Sequence, residues 1–178
     1  MSNALIPRRQ RGASLVEASV VLAITATLAS SVLAGWQPAR ERRALDGASA
    51  QLVTDLQLAR SHAVAHGLPV RLRVNAAESC YVLHTGPAAA CNCSAEGTAS
   101  CGGGGTALRV ASVAGTVPLQ LSSSSSAMLF DSDRGTVTPT GTLRVHGADG
   151  RAVHHVVNIM GRVRTCSPGG AVAGHPRC

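Results

Sequence analysis

An uncharged run from Ala18 to Gly35, entered through a single acid, Glu17, constrains this chain more than any other feature. As a helix, residues 13–35 would extend about 35 Å at about 1.5 Å per residue. That matches the hydrocarbon core of a bilayer. A carboxylate in hydrocarbon is costly, so Glu17 needs either a neutralising partner or a place near the hydrated headgroups. Arg8, Arg9 and Arg11 lie on the N-terminal side only. That asymmetry predicts a cytoplasmic N-terminus and an exported remainder. A removable secretory signal would have a shorter apolar core and a small-residue cleavage site after it. Here Trp36, Pro38 and the charged segment ARERR follow, as expected for a retained anchor.

Beyond the run, Pro38 is expected to kink or interrupt the helix. Leu45, Ala48, Leu52, Leu56, Ala59 and Ala63 then recur every three or four residues. This predicts an amphipathic helix with one face on a core, stopped by Gly67 and Pro69. After Gly67 the period becomes two. Val70, Leu72 and Val74 alternate with Arg71 and Arg73; Leu143 and Val145 alternate with Arg144 and His146. HHVVNIM and GRVRT also read as strands, whereas CGGGGT and SSSSS read as loops or turns. The predicted organisation is a leader (1–12), a membrane helix (13–35), an amphipathic continuation (36–66) and a β-rich domain (67–178). A helix laid on an antiparallel sheet is an α+β architecture.

The chemistry on offer is narrow. The seven histidines are scattered and read mostly as surface or turn residues. No nucleophile elbow, zincin helix or phosphate-cradling glycine loop is present, so neither an enzyme nor a cofactor is expected. All basic residues are Arg, which in an Ala- and Gly-rich chain reflects composition, not a choice at each position. Without the three leader arginines, 13 Arg face nine acids, a balance that permits an anionic partner without demanding one. Trp36, Tyr81 and Phe130 are the sole aromatics. Base stacking is therefore excluded as a main binding mode, and any nucleic acid would be held through phosphates.

Six cysteines (Cys80, Cys91, Cys93, Cys101, Cys166, Cys178) all follow the apolar run, which predicts disulfides in an oxidising compartment. Cys91 and Cys93 are too close to bridge each other without strain. Cys166 and Cys178 can close the tail; Cys80 and Cys101 would then take Cys91 and Cys93 in one order or the other. Cys91-Asn92-Cys93 lacks the C-x-x-C spacing of a metal site, and His154-His155 in a strand would point to opposite faces.

A basic leader ending in Gly12, a small residue, Glu17 five positions after the Gly, and an apolar helix resemble a type IV prepilin signal. The segments LVTDLQLARSHAVAHGLPVRL, FDSDRGTVTPTGTL and GRVRTC resemble the FimT/GspH branch of minor pilins and pseudopilins. Together these cover most of the chain, while Cys80 to Gly105 carries no resemblance. The likeness implies a pilin-like fold, a long N-terminal helix packed on an antiparallel sheet domain. It implies that a prepilin peptidase cuts after Gly12 and that Ala13, where many relatives have Phe, becomes the methylated N-terminus. It implies that Glu17 pairs with the terminal amine of a neighbouring subunit, the partner that the buried acid requires. The protein would sit in the inner membrane as a single-pass chain with a periplasmic domain, then join other pilins or pseudopilins in a pilus or pseudopilus.

In a strand, Arg162 and Arg164 would share a face about 7 Å apart, with Val163 on the other and Gly161 freeing the turn before them. Such a pair is by itself compatible with a solvated face. The FimT likeness implies instead that Arg162 and Arg164 bind DNA for natural transformation; Arg144, Arg151 and Arg177 are weaker candidates, should they fold to the same side. The GspH likeness implies the alternative, a minor pseudopilin of a type II secretion system.

Overall fold

The computed structural model describes residues 14–178, without the side chains of 31–35 and 37. The leader, Gly12 and Ala13 lie outside the described residues. The chain divides into two units, the second beginning at Arg40. Helix α1 runs Leu15–His66, with Glu17 in its first turn and Pro38 inside it. In the first unit, the hydroxyls of Ser19, Thr25, Thr27 and Ser30 turn back onto carbonyls three or four residues earlier. Each hydroxyl is thus satisfied within the helix itself. Among the described residues, no helix is long and apolar enough to cross a membrane. The expected span of 13–35 includes Ala13 and the side chains of 31–35, which lie outside them.

In the second unit, α1 buries Leu45, Leu52, Leu56, Ala59 and Ala63, the expected stripe, with Ala48 half-buried. The helix ends where Gly67 takes φ +63° and the Leu68 N–H reaches the Ala63 carbonyl at 3.2 Å. That six-to-one bond with a left-handed glycine closes the last turn.

The strands are β1 (Val70–Asn75), β2 (Cys80–Thr85), β3 (Cys91–Cys93), β4 (Ala99–Cys101), β5 (Thr106–Ser112), β6 (Gln120–Ser123), β7 (Ala127–Phe130), β8 (Val137–Thr138), β9 (Gly141–His146), β10 (Ala152–Val157) and β11 (Val163–Cys166). They pair antiparallel in three sheets, ordered β5-β2-β1-β7-β8, β11-β10-β9-β6 and β3-β4. One apolar core joins α1 to the inner faces of the two larger sheets, through residues such as Leu72, Leu83, Phe130, Leu143, Val145 and Val153.

Two polar ties cross this core. The Tyr81 hydroxyl donates to Asp55 Oδ2 at 2.7 Å, and Arg109 Nε lies 3.4 Å from the same carboxylate. Burial first, and then the Asp55 carboxylate, push the Tyr81 hydroxyl upward from its ordinary value, so it stays a donor. On the other side, Ser49 Oγ lies 2.9 Å from His155 Nε2, and His155 Nδ1 lies 3.1 Å from Thr165 Oγ1. His155 and His84 are fully buried, while the other five histidines are exposed or half-buried.

The region from Cys80 to Gly105 is more than a loop. The β3–β4 hairpin folds over the outer face of the first sheet and buries Cys80, Val82, Cys91 and Cys93 in a second small cluster. Disulfide Cys80–Cys93 staples it to β2, and Cys91–Cys101 ties its own two strands together, which fixes the order that the spacing left open. A Cβ on Gly105 would sit 2.4 Å from that of Ala90, so the glycine run allows a close backbone approach. The third disulfide, Cys166–Cys178, closes the tail. Val172 of that tail enters the core, and Ser167 Oγ donates to the Ala152 carbonyl at 3.1 Å.

Candidate nucleic-acid interface

The turn between β10 and β11 carries the GRVR segment. Val157 pairs with Val163, and the chain turns through Asn158–Arg162. Asn158 organises it. Its N–H donates to the Arg162 carbonyl at 3.1 Å, and its Oδ1 accepts the Arg162 N–H at 3.0 Å. The strand reading of HHVVNIM and GRVRT therefore extends too far on both sides: Asn158 to Arg162 are turn, and β11 begins at Val163. Competition from the Asn158 side chain for local backbone groups accounts for this.

Gly161 is buried with φ +69°. A Cβ there would meet Arg60 Cδ and the Gly135 carbonyl oxygen, both at 2.8 Å. Gly135 lies in the turn between β7 and β8, where Asp131 Oδ1 accepts the N–H groups of Asp133 and Arg134 at 3.0 and 3.1 Å. Arg60 of α1 donates from Nε to the Gly135 carbonyl at 3.2 Å, and the Val137 N–H donates to the Ile159 carbonyl at 2.9 Å. The two turns are thus packed together on the helix. The segments FDSDRGTVTPTGTL and GRVRTC, separate in sequence, form one corner of the domain.

Arg162 and Arg164 are both exposed, and neither side chain has a hydrogen-bond or ion-pair partner among the described residues. Half-buried Val163 between them packs against the core. Arg164 pairs across with Val156, and His154, two residues earlier on β10, pairs with Arg144. Directly paired residues share a face, so Arg144, His154, Val156 and Arg164 occupy the outer face of the second sheet. Strand spacing places Arg144 about 12 Å diagonally from Arg164. Burial, then the charges of Arg144 and His146, hold His154 below its ordinary pKa, leaving the arginines to carry the positive charge of this face.

The other arginines named from the sequence are elsewhere. Arg151 follows the turn between β9 and β10, at the far end of β10 from Arg162, and its guanidinium is paired with Asp149. Arg177 bridges to Ser167 beyond the Cys166 end of β11. Glu17 is exposed, and an acid in the first turn suits the helix dipole. Sequence reasoning missed Arg60 and Arg134, which no spacing connects to GRVR. Among the described residues, no cluster of His, Cys, Asp or Glu is placed to hold a metal ion.

Residues 48–161 match the family model described as Type II transport protein GspH. A search of curated proteins finds no match. Among solved structures, the chain is similar to the minor pseudopilin EpsH from the Type 2 Secretion System of Vibrio cholerae, at 14% identity and TM-score 0.50, covering 70% of this chain and 98% of that one. It is also similar to the type IV minor pilin FimU of Pseudomonas aeruginosa, at 19% identity and TM-score 0.52, covering 76% and 96%. At these identities the likenesses speak for the fold, a pilin-like α+β domain. With the family model spanning most of the second unit, the chain belongs to the GspH family of minor pilins and pseudopilins.

Proposed function

We propose that this protein is a minor pilin of a type IV pilus that binds DNA through phosphate contacts for uptake in natural transformation. The observation that carries the reading is the exposed Arg162–Arg164 pair, without a side-chain partner among the described residues, with Arg144 on the same sheet face as Arg164. Guanidiniums without carboxylate partners are free to grip phosphate oxygens in a bidentate way. With three aromatic residues in the chain, binding rests on charge and reads little sequence. The test is fluorescence anisotropy on a labelled duplex, wild type against Arg162→Gln/Arg164→Gln. The double variant is expected to lose about tenfold or more in affinity at about 50 mM salt, and the salt slope to fall by about two. No binding by the wild type at low salt would remove the DNA reading.

Membrane insertion and assembly belong to the same proposal. Residues 13–35 anchor the chain in the inner membrane, with the domain in the periplasm. A peptidase cuts after Gly12, and the new amine at Ala13 pairs with Glu17 of a neighbouring subunit. Two charges, each costly alone at low dielectric, then fix one register between helices. Glu17→Gln is expected to leave membrane insertion intact and to deplete the protein from sheared pili by about tenfold or more, since one costly amine is left unpaired per subunit. Immunoblots of membrane and pilus fractions check this; equal incorporation would reject the pairing.

The GspH match favours a second reading, a minor pseudopilin of a type II secretion system. Pilus-assembly genes beside this one support the first reading, and secretion genes the second.

A further inference from the structure

Beside Gly161 lies a cleft of about 630 Å³ whose walls include Gln57, Arg60, Ser61, Asp133, Arg134 and Arg162. Its lining holds three arginines and one carboxylate. Arg60 is half-buried and pinned by its Nε on the Gly135 carbonyl, which leaves its terminal amino groups for another acceptor. Arg134 is exposed, and its backbone is held by Asp131, so the turn presents it without cost in loop ordering. Gln57 and Ser61 add neutral polar groups one helical turn apart. The volume lies within the range that holds a nucleotide-sized ligand, about 300–1,000 Å³.

We propose that this cleft seats a DNA phosphodiester, with Arg134 and Arg60 as its ligands. The inference rests on the DNA-binding reading above and extends it. Arg162 belongs both to the cleft and to the Arg162–Arg164 pair, so the strand's path continues from the sheet face around the hairpin tip onto the helix. The site offers no aromatic surface to a base, so the sugar and phosphate enter and the base stays outside.

The test uses the full chain, purified in neutral detergent with its three disulfides formed, and a short fluorescent duplex titrated between about 50 and 200 mM salt. Two single variants probe the cleft without touching Arg162 or Arg164. Arg134→Gln removes one cation from an exposed turn position. Gln57→Glu adds a carboxylate at an exposed helix position with almost no change in shape. Each is expected to retain the wild-type melting temperature and to bind DNA about three- to tenfold more weakly at about 50 mM salt. Arg134→Gln is expected also to reduce the salt slope by about one. If both variants bind as wild type while Arg162→Gln/Arg164→Gln is impaired, the cleft assignment is overturned and the DNA reading stands. If Arg134→Gln alone is impaired, the residue acts outside the cleft and the assignment is again overturned. If the wild type binds no DNA, both fall together.

Discussion

Gly161→Val is expected to destabilise the domain by about 4 kcal/mol, from two sources of about 2 kcal/mol each. The first is backbone strain, because φ is +69° and a β-branched residue tolerates that region poorly. The second is crowding, because the new Cβ would lie 2.8 Å from both the Gly135 carbonyl oxygen and Arg60 Cδ. The carbonyl is backbone and cannot step aside like the end of a flexible side chain. Gly150→Ala is the control: φ is +81° there, with nothing within 4 Å of the added carbon. It should lose only about 1 kcal/mol. Urea unfolding measures both. Similar losses for the two variants would show that contact with Arg60 and Gly135 has no part. Gly161→Val should also weaken DNA binding, since relieving the clash moves the hairpin tip that carries Arg162.

The second large effect is a fall in stability on acidification. His155 is fully buried, and desolvation first, then repulsion from His175 and His154, lowers its pKa from 6.5 to about 4. Its folded-state value thus lies below its unfolded value. Between the two, the unfolded chain binds the extra proton, so stability rises with pH through that window and is lost on going down. The shift corresponds to about 3 kcal/mol, present in full above pH 6.5 and gone below about pH 4. His84, lowered chiefly by burial, acts in the same direction. Unfolding free energies at pH 7 and pH 4 in wild type and His155→Gln isolate the His155 share. The variant retains a polar group for Ser49 and Thr165, and its loss across the window should be smaller by about 3 kcal/mol. Parallel pH curves would mean that His155 takes up its proton as readily in the fold as in the unfolded chain.

Much of the fold was legible because local period and burial agree. The helix stripe from Leu45 to Ala63 and the alternations in β1 and β9 all face the core as read. The cysteines were legible as two paired sets but not as a connectivity. That depended on β3 pairing with β4 so that Cys91 lies opposite Cys101. Arg162 and Arg164 were legible as exposed arginines, but the shared strand face was not: Arg162 closes the turn and only Arg164 lies in β11. What could not be read was any feature built by distant approach. Arg60 meets Gly135 across 75 residues, and His155 meets Ser49 across 106. A histidine beside Val156 looks the same in sequence whether a serine arrives to cover it or water does. Arg151 looked basic; one nearby carboxylate, Asp149, cancels it.

Ser49 and Asp55 are six residues apart on α1 and bracket its apolar stripe, one tied to His155 and the other to Tyr81 and Arg109. Rolling this part of the helix by a single residue, about 100°, would orphan buried His155 and Tyr81 at once and take the carboxylate from half-exposed Arg109. The two latches therefore act as keyways: they set the compass heading of the segment from Arg40 to His66. The exposed residues of this segment, Leu58 and Val64 among them, therefore keep one fixed bearing relative to the sheets.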